Sequence, residues 1–365
     1  MSRYWVYVLI SLLFLASMVV ADSSPCTIDS FSAPVDQYFN DIQIAGPYFS
    51  VGYTNQFKSV IVYQLYSDSY VSPIFDITDN ICLTAGISGK SGRYALGEGI
   101  LAVNCYDYNV NIIVIYNFIM GDIISTINVE AHYIGIFLDK VNNILVLIYQ
   151  NHTLSYNINS RHLIHSFTFP TYGNIRGFAY DNGNIGLMFS DHISVYSMIS
   201  GTLLMKHICR DNSYSECNGI TIKDDLLAYI VTDRLYSRTD AYIIPIINGT
   251  RILVGNDYFD PIFPGETTMQ IFGNRLFVGD QSYGNNMGIV YNYIITTEVG
   301  YQYGIYPPYN RESIEVFGAF FGAIGNIIII AGRSGGISFN RIYIINLNCV
   351  LTNMAPASSL DWIML

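Results

Sequence analysis

Charge is what this chain has least of. Asp, Glu, Lys and Arg together make up 12% of its 365 residues, and only five of them are Lys. A surface this short of charge must be solvated by amides and hydroxyls, and Tyr is present in 31 copies. The formal charge of −11 opposes phosphate backbones, so nucleic acid is not an expected partner. Trp occurs twice, once inside the amino-terminal apolar run, and the Ser-x-Asp-x-Gly-x-x-Trp box of sialidases is missing. There is no H-E-x-x-H, no C-x-x-C and no D-x-D-x-D-G run. The sequence therefore predicts no cofactor, no metal and no catalytic residue, and a non-enzymatic role is favoured.

Long apolar runs are also missing after the first 20 residues, so no stable membrane span is expected in the mature chain. The opening MSRYWVYVLISLLFLASMVVADSS has one Arg, an apolar core and a Val-x-Ala step, the pattern of a secretory signal peptide cleaved after Ala21. The expected organisation is a signal peptide over 1–21, one domain over 22–352 and a tail over 353–365, with the product secreted. All six Cys lie beyond the cleavage point, where an even count predicts disulfides.

What is present is repetition. Leu276 to Tyr293 runs apolar, polar, apolar over 18 residues, and the same pattern begins at Tyr48, Leu101, Leu227 and Ile328; shorter versions begin at Leu145 and Ile185. Each reads as two antiparallel strands around a Gly, Asn, Asp and Ser turn. A short strand precedes most copies and another follows, giving four strands per unit at spacings of 40 to 53 residues. The runs LFVGD, IIVIY and IIIIAG do not alternate, as expected of strands covered on both faces. These features predict an all-β, seven-bladed β-propeller of four-stranded antiparallel blades closed by an N-terminal strand. A large β-sandwich or β-helix is the competing fold, and the blade number is open by one.

Among the fifteen possible pairings, Cys209 and Cys217 bracket one short polar loop. If the amino-terminal strip joins the last blade, Cys26 meets Cys349, which leaves Cys82 for Cys105.

MQIFGNRLFVGDQSYGNNMGIVYNYI resembles an FG-GAP repeat of the integrin alpha propellers, through Phe272-Gly273, Gly279-Asp280 and Gly288 before VYNY. Fragments around Phe317-Gly318 and at Gly97 are similar. The resemblance implies a calcium loop between the middle strands. Asp280, Asn285 and Asn286 could supply oxygens, but with Asp280 as its single carboxylate that loop is read as a turn.

The sequence predicts recognition of a protein or glycan through rim loops. Tyr258, Phe259 and Phe263, with Tyr301, Tyr303, Tyr306, Tyr309 and Arg311, lie in the connections flanking blade six and are the candidate contact patch. Asn151 and Asn248 head N-x-Thr sequons in turns and are candidate glycosylation sites. His152 and His192, in equivalent turns, are read as exposed. Two rival functions remain: a propeller hydrolase or lyase acting on extracellular glycan, marked by charged groups converging on the channel mouth, and a structural coat or matrix protein.

Overall fold

A computed structural model describes residues 26–32, 38–54, 59–66, 70–77, 94–107, 110–130, 132–169, 174–209, 215–233, 235, 238–247, 249–257, 269–280, 288–295, 302–305, 316–333 and 339–349. The strands form seven antiparallel sheets of four. In each blade we name the strands A to D from the channel outward. The A strands are Tyr38–Ala45, Tyr94–Gly97, Gly135–Asp139, Gly177–Asp181, Ser215–Lys223, Met269–Phe272 and Val316–Ile324. Each touches the A strand of the next blade, and the seventh touches the first, so the ring closes.

The repeated segments become the B and C strands. Leu276, for example, pairs with Tyr293, and Ile328 with Ile345. These strands lack alternation because both faces are buried. Leu145 and Leu147 of blade three pack on Ile113 and Ile115 of blade two, whereas Ile144, Val146 and Ile148 meet Ile185 and Leu187 of blade four. One such apolar cluster occupies each of the seven blade interfaces. Each buried Leu or Ile stabilises the fold by about 1.5–3 kcal/mol, so stability is spread round the ring.

Blade seven is assembled from both ends of the domain. Thr27–Ser32 is its D strand and pairs with Phe339–Asn346, its C strand. Cys26 and Cys349 are disulfide-bonded with their Cα atoms 5.3 Å apart. The bond stands where a C-D turn joins the strands of other blades. Cys209 and Cys217, both fully buried, form a second bridge across the connection from blade four to blade five. Cys105 is also disulfide-bonded; Cys82 lies outside the described residues.

Two repeated devices were not foreseen. Gln43 of blade one accepts a hydrogen bond at 2.9 Å from the backbone N–H of Leu96 in blade two, and Gln270 of blade six does the same for Ala323 of blade seven. Each glutamine satisfies a donor on the free edge of the next A strand, where no ladder partner exists. The turn histidines correct the reading of them as exposed. His192 is buried and His152 half-buried, each stacked on the aromatic residue three positions earlier. Their Nδ1 atoms lie 2.7 Å from Asn151 Oδ1 and Asp191 Oδ1. The flat ring covers Tyr149 or Phe189, so the turn side chain completes the end of the blade core.

Candidate functional site: the acidic mouth of the channel

Every A strand ends in a turn at the same end of the channel. Two residues suffice in six blades; blade three uses the four residues 140–143. In blade four the turn is Asn182-Gly183, with φ of 44° and 78°, the left-handed geometry that a two-residue hairpin requires. Because the turns share a register, the residues at the strand ends face one another round the mouth. Two adjoining cavities of about 1010 and 650 Å³ open there, and between them they are lined by A strands of all seven blades.

The lining is lopsided. Blades one to five contribute Asp41, Glu98, Asp139, Asp181 and Asp224, against Lys140 and Lys223. Blades six and seven contribute Phe272, Ala323, Ile324 and Gly325. Five carboxylates against two ammonium groups leave an acidic crescent beside an apolar wall.

The acids are held by neighbours. Asp139 accepts from the Asn142 backbone N–H at 2.9 Å, from Asn142 Nδ2 at 2.8 Å and, across the blade boundary, from the Tyr180 hydroxyl at 2.7 Å. Burial and the adjacent Asp139 push the Tyr180 hydroxyl far above its ordinary range, so it remains a donor. Asp181 takes Lys223 Nζ at 2.9 Å and the Asp224 backbone N–H at 2.7 Å, again across a blade boundary. Against the desolvation that would lower it, this partnership holds the Lys223 ammonium above its usual range. The crescent is thus a preorganised set of acceptors, and it would receive a cation with little rearrangement.

Asp41 differs from the others. Burial pushes its carboxyl up to about 6, although Gln43 Nε2 donates to it at 2.8 Å. In the fold it holds its proton up to that pH, while the unfolded chain releases it from about 3.8. Stability contributed by the neutral form is therefore lost as pH rises between these values. Asp41→Asn should match the wild type at pH 4 and exceed it by about 2 kcal/mol at pH 8, after a discount for cavity water. Parallel urea-melt stabilities at both pH values would show that Asp41 titrates normally.

The contact patch expected from the sequence lies almost wholly outside the described residues: Tyr258, Phe259, Phe263, Tyr301, Tyr306, Tyr309 and Arg311 are not among them. Tyr303 sits in the D strand of blade six, Gln302–Ile305, opposite Asn292. Asn151 is exposed in the B-C turn of blade three, and Asn248 lies outside the described residues. Asp280 ends the B strand of blade six, while Asn285 and Asn286 lie outside. Among the described residues no group of three or more His, Cys, Asp or Glu is placed to hold a metal ion, and no helix is long and apolar enough to cross a membrane. Sequence reasoning passed over the mouth acids. Aligning the A-B turns would have shown Glu98, Asp139, Asp181 and Asp224 at neighbouring positions in four consecutive blades.

The closed ring defines a seven-bladed β-propeller, and solved structures agree. Three cover 88% of this chain: the computationally designed Ika8 protein (12% identity, 99% of its chain, TM-score 0.53), the WD40 domain of Toxoplasma gondii coronin (12%, 88%, 0.52) and a chain of the Mitotic Checkpoint Complex (11%, 95%, 0.56). Likeness at this identity shows the fold alone. No protein-family model and no curated protein matches the chain, so the FG-GAP resemblance rests on its few residues without further support.

Proposed function

We propose that this propeller is a secreted recognition module that binds a protein partner through the acidic mouth of its channel. The observation that carries the reading is the convergence of five carboxylates from five neighbouring blades on one opening, three of them hydrogen-bonded in place. A rigid acidic funnel selects a basic side chain and accelerates its approach. Secretion is supported by two complete disulfide bridges and by the amino-terminal signal pattern, with the mature domain over 22–352. In this reading Asn151 and Asn248 carry glycans, and the Tyr-rich connections around Tyr258 and Tyr301 supply a second contact.

Proximity labelling with the secreted protein, followed by pull-down of the labelled partner, tests this. The combined change Asp181→Asn and Asp224→Asn should weaken capture roughly tenfold and flatten its salt dependence. Retention of full capture by that variant, with loss on alanine substitution from Tyr301 to Tyr309, would move the site to the aromatic connections.

Carboxylates converging on the channel mouth are also the mark expected of a propeller hydrolase or lyase, so a second reading stands beside the first. Asp41, titrating near pH 6 beside a large cavity rimmed by other carboxylates, has the environment of a general acid, as a glycan hydrolase needs. Release of sugar from labelled extracellular oligosaccharides, abolished by Asp41→Asn, would establish it over the binding role.

A further inference from the structure

Of the large apolar side chains exposed among the described residues, all but Ile208 and Leu235 stand at the mouth end of the ring, in the A-B and C-D turns or the strand ends beside them. Val141 is 89% exposed, Met120 71% and Ile199 57%. The turns that carry them adjoin across blades. The Cδ1 atom of Ile119 and the Nζ of Lys140 both lie within 3.4 Å of where a Cβ on Gly99 would stand, which sets the C-D turn of blade two against the A-B turn of blade three. Ile199 Cδ1 and Asn142 Nδ2 likewise both flank Gly183, joining blade three to blade four. Leu163 and Leu203 extend the strip onto the outer strands of blades three and four. Lys140 and Val141 belong to this strip and also line the acidic cavity.

Apolar side chains on a soluble protein are ordinarily scattered, and a run of them beside a polar recess marks an interface. The occupant follows from the charge. A second copy of this chain would bring another acidic mouth and a formal charge of −11 against the first. A bilayer laid on the strip would cover the mouth carboxylates without supplying cations, and burying them unpaired is costly. A protein segment avoids both penalties if aliphatic side chains flank a Lys or Arg. From this geometry we infer that blades two to four dock such a segment, its aliphatic residues on the strip around Ile119, Val141 and Ile199 and its basic side chain in the acidic mouth. The inference rests on the proposed binding role and assigns that role a surface and a partner chemistry.

The test is selection of a random 12-residue phage-displayed peptide library on the immobilised full-length protein, with chosen peptides then measured in solution. The expected consensus has two or more aliphatic residues and one Lys or Arg. Binding should fall roughly tenfold or more for Met120→Ser with Ile199→Ser, and similarly when the peptide's cation becomes Gln. Because these side chains are exposed, the variants keep the parent's melting temperature. If peptides or a captured protein bind the mouth but ignore the Met120 and Ile199 changes, the docking inference fails and the binding role stands. If no peptide is selected and no protein is captured, both fail. Strip-dependent sedimentation with neutral phosphatidylcholine vesicles, or strip-dependent dimers by analytical ultracentrifugation, would assign the surface to a membrane or to a second copy and overturn the inference.

Discussion

Replacing Cys26 and Cys349 by Ser should lower the stability of the domain by roughly 5 kcal/mol, the upper range for a bridge that closes so long a loop. The two residues are 323 apart in sequence, and the bond secures a D strand of only six residues. In the native fold that strand is held by its ladder with Phe339–Asn346 and by the packing of Cys26 among Phe277, Ile305 and Leu347. Without the bridge, those contacts alone must recover the entropy of bringing both ends of the domain together. The measurement is a urea melt of wild type and variant under non-oxidising, thiol-free conditions. Cys209→Ser with Cys217→Ser, which opens a loop with a separation of 8, is the internal comparison and should cost about half as much. Equal midpoints for the two double variants would mean that the ring closes without covalent help.

The second large effect concerns the boundary between blades three and four. Gly135 begins the A strand of blade three, and a Cβ there would stand 2.6 Å from Cε2 and 2.7 Å from Cζ of Phe178. The ring of Phe178 packs edge-on against Phe137 at a centroid distance of 5.7 Å and borders the channel cavity, so it can make room for a Cβ only by giving up that contact. Gly135→Val should therefore destabilise by about 1–3 kcal/mol, the range for overpacking. Phe178→Ala alone should also destabilise, because it empties space at the same boundary. The two changes together should be less harmful than their sum by 1 kcal/mol or more, since the valine then occupies room the ring has left. Additive losses in a thermal double-mutant cycle would place the strain elsewhere.

The middle strands were legible in the sequence because burial on both faces writes itself as unbroken apolar runs. IIIIAG and LFVGD read as strands covered on both faces, and the spacing of the repeats then pointed to seven blades, with the number open by one. Ring closure was legible too, since the first strip and the last strand were left over at opposite ends of the chain. The mouth was not. Four of its acids come one each from the A-B turns or adjoining strand ends of blades two to five, where Asp or Glu is the ordinary solvated choice, and Asp41 comes from within the A strand of blade one; only the shared register gathers them. The stacked histidines were misread for a related reason. A polar residue in a turn suggests exposure, yet in a propeller the turn caps a sheet already covered on both sides, so its ring becomes part of the core. The exposed aliphatic residues Leu163 and Leu203 gave no signal because the segment after each repeat reads as apolar whether or not its side chains are covered.

The division of blade seven between the two ends of the domain also fixes a temporal order. Residues 27–32 are synthesised early, while their pairing partner, residues 339–346, follows some 300 residues later. At ordinary translation rates that interval is roughly 15–60 s. Throughout it six blades can stack in sequence, but the seventh has no outer strand and the nascent sheet ends in an open edge, the kind of surface that invites pairing with other chains. The last act of maturation is therefore the return of the oldest strand to the newest. Oxidation of Cys26 with Cys349 can follow only once that strand has returned, and it then acts as a latch on the closed ring.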